Sequence, residues 1–264
     1  MLQYIQIFGR EIPIYGLFAL AGILAFYGLV RLRTKAFGVN PQDVFHVTLY
    51  AVCGAIIGAK VLYWITILPW VIRHFHEILS NRELALALLT QGLVFYGGLI
   101  GGFLFCLWYL RRYRLDVCLY ADAMVPGIPL FHTFGRVGCF IGGCCYGMEW
   151  EHGICYPETH VTSGVPLFPV QLVEAGANLI LCAALCVLSR RWKGTGLTMP
   201  AYGLCYGVLR FVLEFFRGDA IRGHAAGLST SQWISLVIIA ASAAFIIWYV
   251  QCQRKSKKAK KAER

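Results

Sequence analysis

The chain has 264 residues, of which 58% are hydrophobic and only 14% are charged, well below the quarter or so of charged residues in a soluble domain. Apolar runs of about twenty residues recur along its whole length, the length that crosses a bilayer as a helix. These features exclude a soluble globular enzyme. The net charge of +11, gathered in loops and in the tail, points to anionic lipid headgroups as partners rather than nucleic acid.

The predicted fold is an all-α integral membrane protein with about seven transmembrane helices. The first span, Pro13–Val30, follows Glu11 and runs past signal-peptide length without a small-residue cleavage site, so it is expected to be retained. The second covers Phe45–Leu68 and the third Leu84–Leu110. The fourth, Val117–Phe134, contains Asp122, Pro126, Pro129 and His132, which marks it as a candidate broken or re-entrant segment. Within it His132 is a candidate partner for Asp122. The fifth, sixth and seventh spans are Phe168–Leu188, Leu197–Phe216 and Gln232–Val250.

Two longer segments lie between spans. PWVIRHFHEILSNRE, residues 69–83, mixes aromatic and charged side chains as a helix lying in the membrane interface does. Residues 147–167 form the other. Residues 1–251 read as one polytopic domain, and residues 252–264 as an unstructured basic tail. Small-residue pairs such as Gly54-x3-Gly58, Gly97-x3-Gly101 and Gly98-x3-Gly102 suit close helix packing in lipid.

Orientation follows from the cations. Arg31, Arg33 and Lys35 follow span one; Arg111, Arg112 and Arg114 follow span three; Arg190, Arg191 and Lys193 follow span five. The tail adds seven more, and no Lys or Arg occurs between Arg136 and Arg190. The positive-inside rule then puts the N-terminus outside and the C-terminus in the cytoplasm. The expected location is a cell membrane, crossed several times.

A charge inside a span is costly and needs a partner or a task. Lys60, Glu174, Arg136, Arg210 and Glu214 are such charges. Arg210, Glu214 and Arg217 are spaced i, i+4, i+7 on one helical stripe, and Gln171, Glu174 and Asn178 share another. An intrahelical Arg210–Glu214 pair and an interhelical tie at Glu174 are one reading. The other is a wet cavity in which Arg136 and Arg210 grip a phosphate, for which the guanidinium fork is well matched.

Arg136 opens the stretch FGRVGCFIGGCCYG, residues 134–147. Its glycines suggest a backbone that turns and approaches a headgroup closely, as an anion-binding nest does. Cys139, Cys144, Cys145 and Cys155 follow a spacing that matches no familiar zinc or iron–sulfur motif. Packing, a disulfide such as Cys145–Cys155, and a nucleophilic thiol are the readings left open. No metal or other cofactor is expected.

The same stretch resembles the signature of the prolipoprotein diacylglyceryl transferase family. PIYGLFALAG, GAIIGAKVLYW, FYGGLIGG, FPVQLVEA and YGVLRFVLEFFRGD are similar, in order, to further motifs of that family. The resemblance implies transfer of a diacylglyceryl group from phosphatidylglycerol to the lipobox cysteine of a prolipoprotein signal peptide, with glycerol phosphate leaving. It implies Arg136, Arg210 and Tyr96 as catalytic residues. Tyr15, Lys60, Gly97, Gly98, Cys139, Gly147, Glu174, Glu214 and Arg217 become substrate-binding. Tyr96 stands where the family has His, and a phenol is a weaker base than an imidazole at neutral pH. His132 is an alternative base. Cys139, Gly142 and Cys144 replace polar residues of the signature. A phospholipid-binding or lipid-moving protein of the same fold is the alternative function, and a membrane thiol–disulfide protein is a third.

Overall fold

A computed structural model describes residues 4–7, 10–90, 92–156, 162–218 and 224–262. Ten α-helices account for most of them, with three two-stranded hairpins at their ends. The chain divides into two compact units. One comprises Met1–Gly38 with Cys118–Arg264, and the other, inserted between these pieces, is Val39–Val117.

The first unit opens with the hairpin β1 (Tyr4–Ile7) and β2 (Arg10–Pro13). Pro13 caps α1 (Ile14–Phe37), which stops at Gly38 with φ 67°, where the Gly38 N–H turns back onto the carbonyls of Lys35 and Thr34. In the inserted unit, α2 (Pro41–Arg73) starts under the Asn40 side chain, which accepts from the Gln42 N–H at 2.9 Å, with Pro41 in the first turn. This helix continues through Pro69 to Arg73, beyond the expected end at Leu68. The interfacial segment is therefore the last turn of α2, the short α3 (Phe75–Ser80) and the start of α4 (Arg82–Thr90).

The third expected span is broken. α4 meets α5 (Phe95–Arg112) at 54°, next to Gly92 with φ 77°. α2 and α5 pack through the predicted glycines: a methyl at Gly58 or Gly97 would collide with the backbone carbonyl of the other, and Gly54 and Gly101 are opposed in the same way. Small residues at such crossings let backbones approach closely in lipid, where packing rather than hydrophobic burial drives association.

In the first unit, α6 (Val117–Met124) and α7 (Gly127–Gly142) form one interrupted span. α8 (Val170–Arg191) and α9 (Thr198–Leu213) follow, and α9 is extended by a 3-10 turn, Glu214–Phe216. Hairpins β3–β4 (Glu149–Cys155, Pro166–Leu167) and β5–β6 (His224–Ala225, Leu228–Ser229) bracket the helix ends. Part of the expected 147–167 segment, residues 157–161, lies outside the described residues. α10 (Thr230–Ala262) carries helix through the basic tail, where the composition suggested an unstructured extension. The helices pack in the order α1–α7–α8–α9–α10. Large apolar side chains such as Leu20, Leu24, Ile180, Val187, Ile247 and Trp248 cover their outer faces, as a lipid-facing exterior requires.

Among the described residues, five helical segments are long and apolar enough to cross a membrane, or six with the bent α4–α5 pair. The protein is an all-α membrane protein. α9, with 16 residues, is shorter than the ~20 that cross a bilayer unaided.

Two buried charges fix the packing of the first unit. Asp122, fully buried, accepts from the N–H groups of Thr195 (2.9 Å), Gly196 (3.0 Å) and Thr198 (3.2 Å), capping α9 from a distant helix. The expected Asp122–His132 pair is not formed, because these backbone donors already use the carboxylate. Arg33 is also buried, and donates to the carbonyls of Ala123 (3.0 Å), Cys186 (3.2 Å) and Asp122 (3.3 Å). It ties helix ends together, in place of the exposed basic collar its sequence position suggested.

Candidate active site

The stripe Gln171, Glu174 and Asn178 on α8 faces inward, all three side chains being at most 1% exposed. Glu174 is the centre of an ionic network joining α7, α8 and α9. Its Oε1 meets Arg136 Nε at 3.0 Å and accepts from the Tyr206 hydroxyl at 3.2 Å. Its Oε2 faces Arg210 Nη1 at 3.7 Å. Arg210 Nη2 in turn binds Glu214 Oε2 at 2.6 Å, one helical turn on.

Arg217 completes the network differently from the expected stripe. The helix ends at Leu213, and Arg217 follows the 3-10 turn in an extended conformation, with φ −88° and ψ 141°. Its Nε still lies 4.0 Å from Glu214 Oε2. Glu214 Oε1 accepts from Ser229 Oγ at 2.8 Å. The two arginines expected to await an anion are thus held first by protein carboxylates, as the structural reading of Glu174 and Glu214 required. Three guanidiniums thus face two carboxylates, and Arg217 also faces the Cys145 thiol.

The pairing is incomplete at its centre. Arg210 Nη1 and Glu174 Oε2 are both buried and without a hydrogen bond, facing each other beyond hydrogen-bond distance. A buried donor without a hydrogen bond in a low-dielectric site is suited to meet an oxyanion.

The glycine-rich stretch behaves otherwise than a nest. Residues 134–142 are the second half of α7, whose N–H groups are spent on the helix. Gly138 lies against Phe18 and the Tyr15 ring, which puts Tyr15 at the α1–α7 seam beside the signature. Gly147 is pinched between the carbonyls of Phe168 and Phe216, and pairs with Arg217 as an isolated bridge. Gly135 and Gly142 alone in this helix have open space where a side chain would stand.

At the end of α7 three sulfurs converge: those of Cys139, Cys144 and Cys145 lie within 4.8 Å of one another. All eleven cysteines are free, so Cys145 and Cys155 are not bonded. Hydrogen bonds from the Cys139 and Cys144 thiols, and then from the Arg217 guanidinium, hold the Cys145 thiol well below its ordinary range. Burial pushes the nearby Tyr156 hydroxyl up, and that hydroxyl accepts from Gln171 Nε2 at 3.0 Å.

The remaining predicted residues belong to the inserted unit. Lys60 Nζ donates to the Leu88 carbonyl at 3.1 Å and sits over the rings of Tyr63 and Trp64. Gly97 is a packing residue against Gly58, and Gly98 faces the Ala55 carbonyl. Tyr96 is 42% exposed, in the first turn of α5.

Sequence reading missed Tyr202 and Tyr206, although they stand eight and four residues before Arg210 on its own stripe. The Tyr202 hydroxyl lies 3.0 Å from His132 Nδ1, so His132 is held by a tyrosine. Ser229, brought in by the β5–β6 hairpin, had no periodicity to reveal it.

The profile of the prolipoprotein diacylglyceryl transferase family matches residues 3–248. The phosphatidylglycerol–prolipoprotein diacylglyceryl transferase of Clostridium tetani is 35% identical over 237 residues, 89% of this chain and 92% of that protein. A second such transferase, from Clostridium perfringens, is also 35% identical over 237 residues, 89% of this chain and 90% of its own length. The Bordetella bronchiseptica protein of that name is 31% identical over 263 residues, covering 94% and 97%. Matched by that profile along almost its whole length, and at least 31% identical to these three relatives, the chain belongs to the prolipoprotein diacylglyceryl transferases.

Proposed function

We propose that the protein transfers the diacylglyceryl group of phosphatidylglycerol to the thiol of a lipobox cysteine in a prolipoprotein signal peptide, in a bacterial plasma membrane. The observation that supports this most is the meeting of Arg136 and Arg210 at one buried carboxylate, with Arg210 Nη1 lacking a hydrogen-bond acceptor. A phosphodiester carries one negative charge, and its oxygens suit that donor.

In this reading the lipid phosphate binds at Arg136 and Arg210. The acceptor sulfur attacks the glyceryl carbon, the new C–S bond forms, and the C–O bond to phosphate breaks. The electron pair of that bond goes to the phosphate oxygen, where the guanidiniums stabilise the growing charge. The departing glycerol phosphate takes the thiol proton. Glu174 and Glu214 position the arginines without exceeding their charge. Tyr15, Lys60, Gly97, Gly98, Cys139 and Gly147 are proposed to line the lipid and peptide paths, and Tyr96 to donate a hydrogen bond to the substrate. The chain is proposed to cross the membrane seven times, α9 included, with its N-terminus outside.

The test mixes purified protein with labelled phosphatidylglycerol and a lipobox peptide, and follows the thioether product by mass spectrometry. Arg136→Ala and Arg210→Ala are each expected to slow product formation by about 10²–10³. Unchanged turnover in both would overturn the assignment of the phosphate site.

A further inference from the structure

We propose that Cys139, Cys144 and Cys145 form a site for one thiophilic d10 metal ion, Zn2+ or Cu+, bound through three sulfurs. Soft sulfur donors select these ions over Mg2+ or Ca2+, and a three-sulfur Zn2+ keeps a fourth position for water or another ligand. The proposal does not depend on the transferase reading, and its test contains no activity measurement.

The geometry comes from the way α7 ends. Gly143 takes the left-handed conformation, with φ 73°, and its N–H returns to the Phe140 carbonyl at 3.2 Å. The Cys144 N–H returns to the Cys139 carbonyl at 3.0 Å. These two bonds are a Schellman motif, which brings the side chains of its first and last residues together. Here those residues are Cys139 and Cys144, five apart in sequence, so a spacing foreign to zinc motifs still brings two sulfurs together.

The third sulfur is added by backbone strain. Cys145 has φ 59°, a conformation that residues with a Cβ adopt only where their surroundings impose it. The surroundings here do so on both sides. Gln171 Nε2 holds the Cys144 carbonyl at 2.9 Å, and the Gly218 N–H holds the Tyr146 carbonyl at 3.2 Å. The pinned turn leaves all three sulfurs within 4.8 Å. Three sulfurs at the ~2.3 Å metal distance stand about 4 Å apart, so small rotamer adjustments close the site.

The charge balance also fits. The carbonyl end of a helix favours a cation. Three thiolates around Zn2+ carry one net negative charge, and the Arg217 guanidinium donates to Cys145 while Arg136 lies within electrostatic reach of Cys139 and Cys145. On binding, any proton still held by the three thiols passes to solvent as the sulfur–metal bonds form. Cys139 is buried and Cys144 exposed, so an ion can enter from one side.

The experiment uses the full chain in detergent, reduced and stripped of metal by a chelator. Cd2+ serves as the probe, its sulfur-to-metal absorbance counting thiolates. Zn2+ and Cu+ are then titrated separately against competing chelators, and metal analysis of protein purified without chelator tells which ion it carries. One equivalent of Cd2+ is expected, with Cys139→Ser, Cys144→Ser and Cys145→Ser each weakening it at least roughly tenfold, and Cys155→Ser leaving it unchanged. A second measurement needs no substitution: saturating Zn2+ is expected to protect Cys144 from iodoacetamide in the wild-type chain. An unaltered Cd2+ band in the triple serine variant, or a disulfide within the trio that forms despite the metal, would overturn the site.

Discussion

Arg136 and Glu174 meet at 3.0 Å between α7 and α8, the carboxylate almost wholly buried and the guanidinium about one-fifth exposed. The contact sets the α7–α8 register and places the Arg136 fork beside Arg210, which faces the other oxygen of the same carboxylate. One buried acid therefore carries both arginines of the proposed phosphate site.

Glu174→Gln tests that dependence. The substitution keeps the shape of the side chain and leaves three buried or half-buried guanidiniums with one carboxylate. Removing one partner of a buried ion pair costs about 3–5 kcal/mol. A lower thermal unfolding midpoint in detergent is expected, together with loss of thioether product. Full stability with full turnover would mean that Glu174 does not hold the arginines.

Gly135 lies one residue before Arg136, and beyond its own helix backbone and chain neighbours no atom lies within 4 Å of where a Cβ would stand. Alanine in a helix interior is favoured over glycine by about 1 kcal/mol, so Gly135→Ala is expected to raise the unfolding midpoint. Gly135→Leu fills the open space one residue before Arg136 on α7. If a lipid headgroup occupies that space, the leucine variant stays folded and its KM for phosphatidylglycerol rises. Unchanged kinetics would show that the headgroup binds elsewhere.

Asp122 accepts three backbone N–H groups that start α9. Asp122→Ala strands these donors at a cost of about 1–3 kcal/mol each when they remain buried. The expected result is a protein that unfolds well below the wild type, with Asp122→Asn recovering part of the loss. An alanine variant as stable as the wild type would show that water replaces the carboxylate.

Tyr96→Phe removes one hydroxyl in the first turn of α5 and little else. A single hydrogen bond is worth about 1 kcal/mol, so a drop of several-fold in kcat/KM with unchanged stability is expected from the proposed substrate contact. Turnover equal to the wild type would remove Tyr96 from the site.

The sequence already contained the membrane class, the approximate places of the helices and the ionic residues. Apolar run length is a local property, and a charge within such a run is visible without any coordinates. The i, i+4 spacing of Arg210 and Glu214 offered their pairing as one of two readings, because one helix turn brings the two side chains together. The opposed glycines of α2 and α5 were legible as small-residue repeats for the same reason.

Tertiary structure decided what each charge faces. Arg33 read as an exposed loop cation and is buried against helix ends; Asp122 read as a partner for His132 and caps α9 instead. Arg136 and Arg210 read as waiting for an anion, yet both face Glu174. The three sulfurs assemble only because a left-handed glycine and a strained Cys145 fold the chain back on itself. Sequence spacing encodes neighbours along one helix, whereas the partner of a buried charge, or the third ligand at a helix end, depends on segments that meet only after packing.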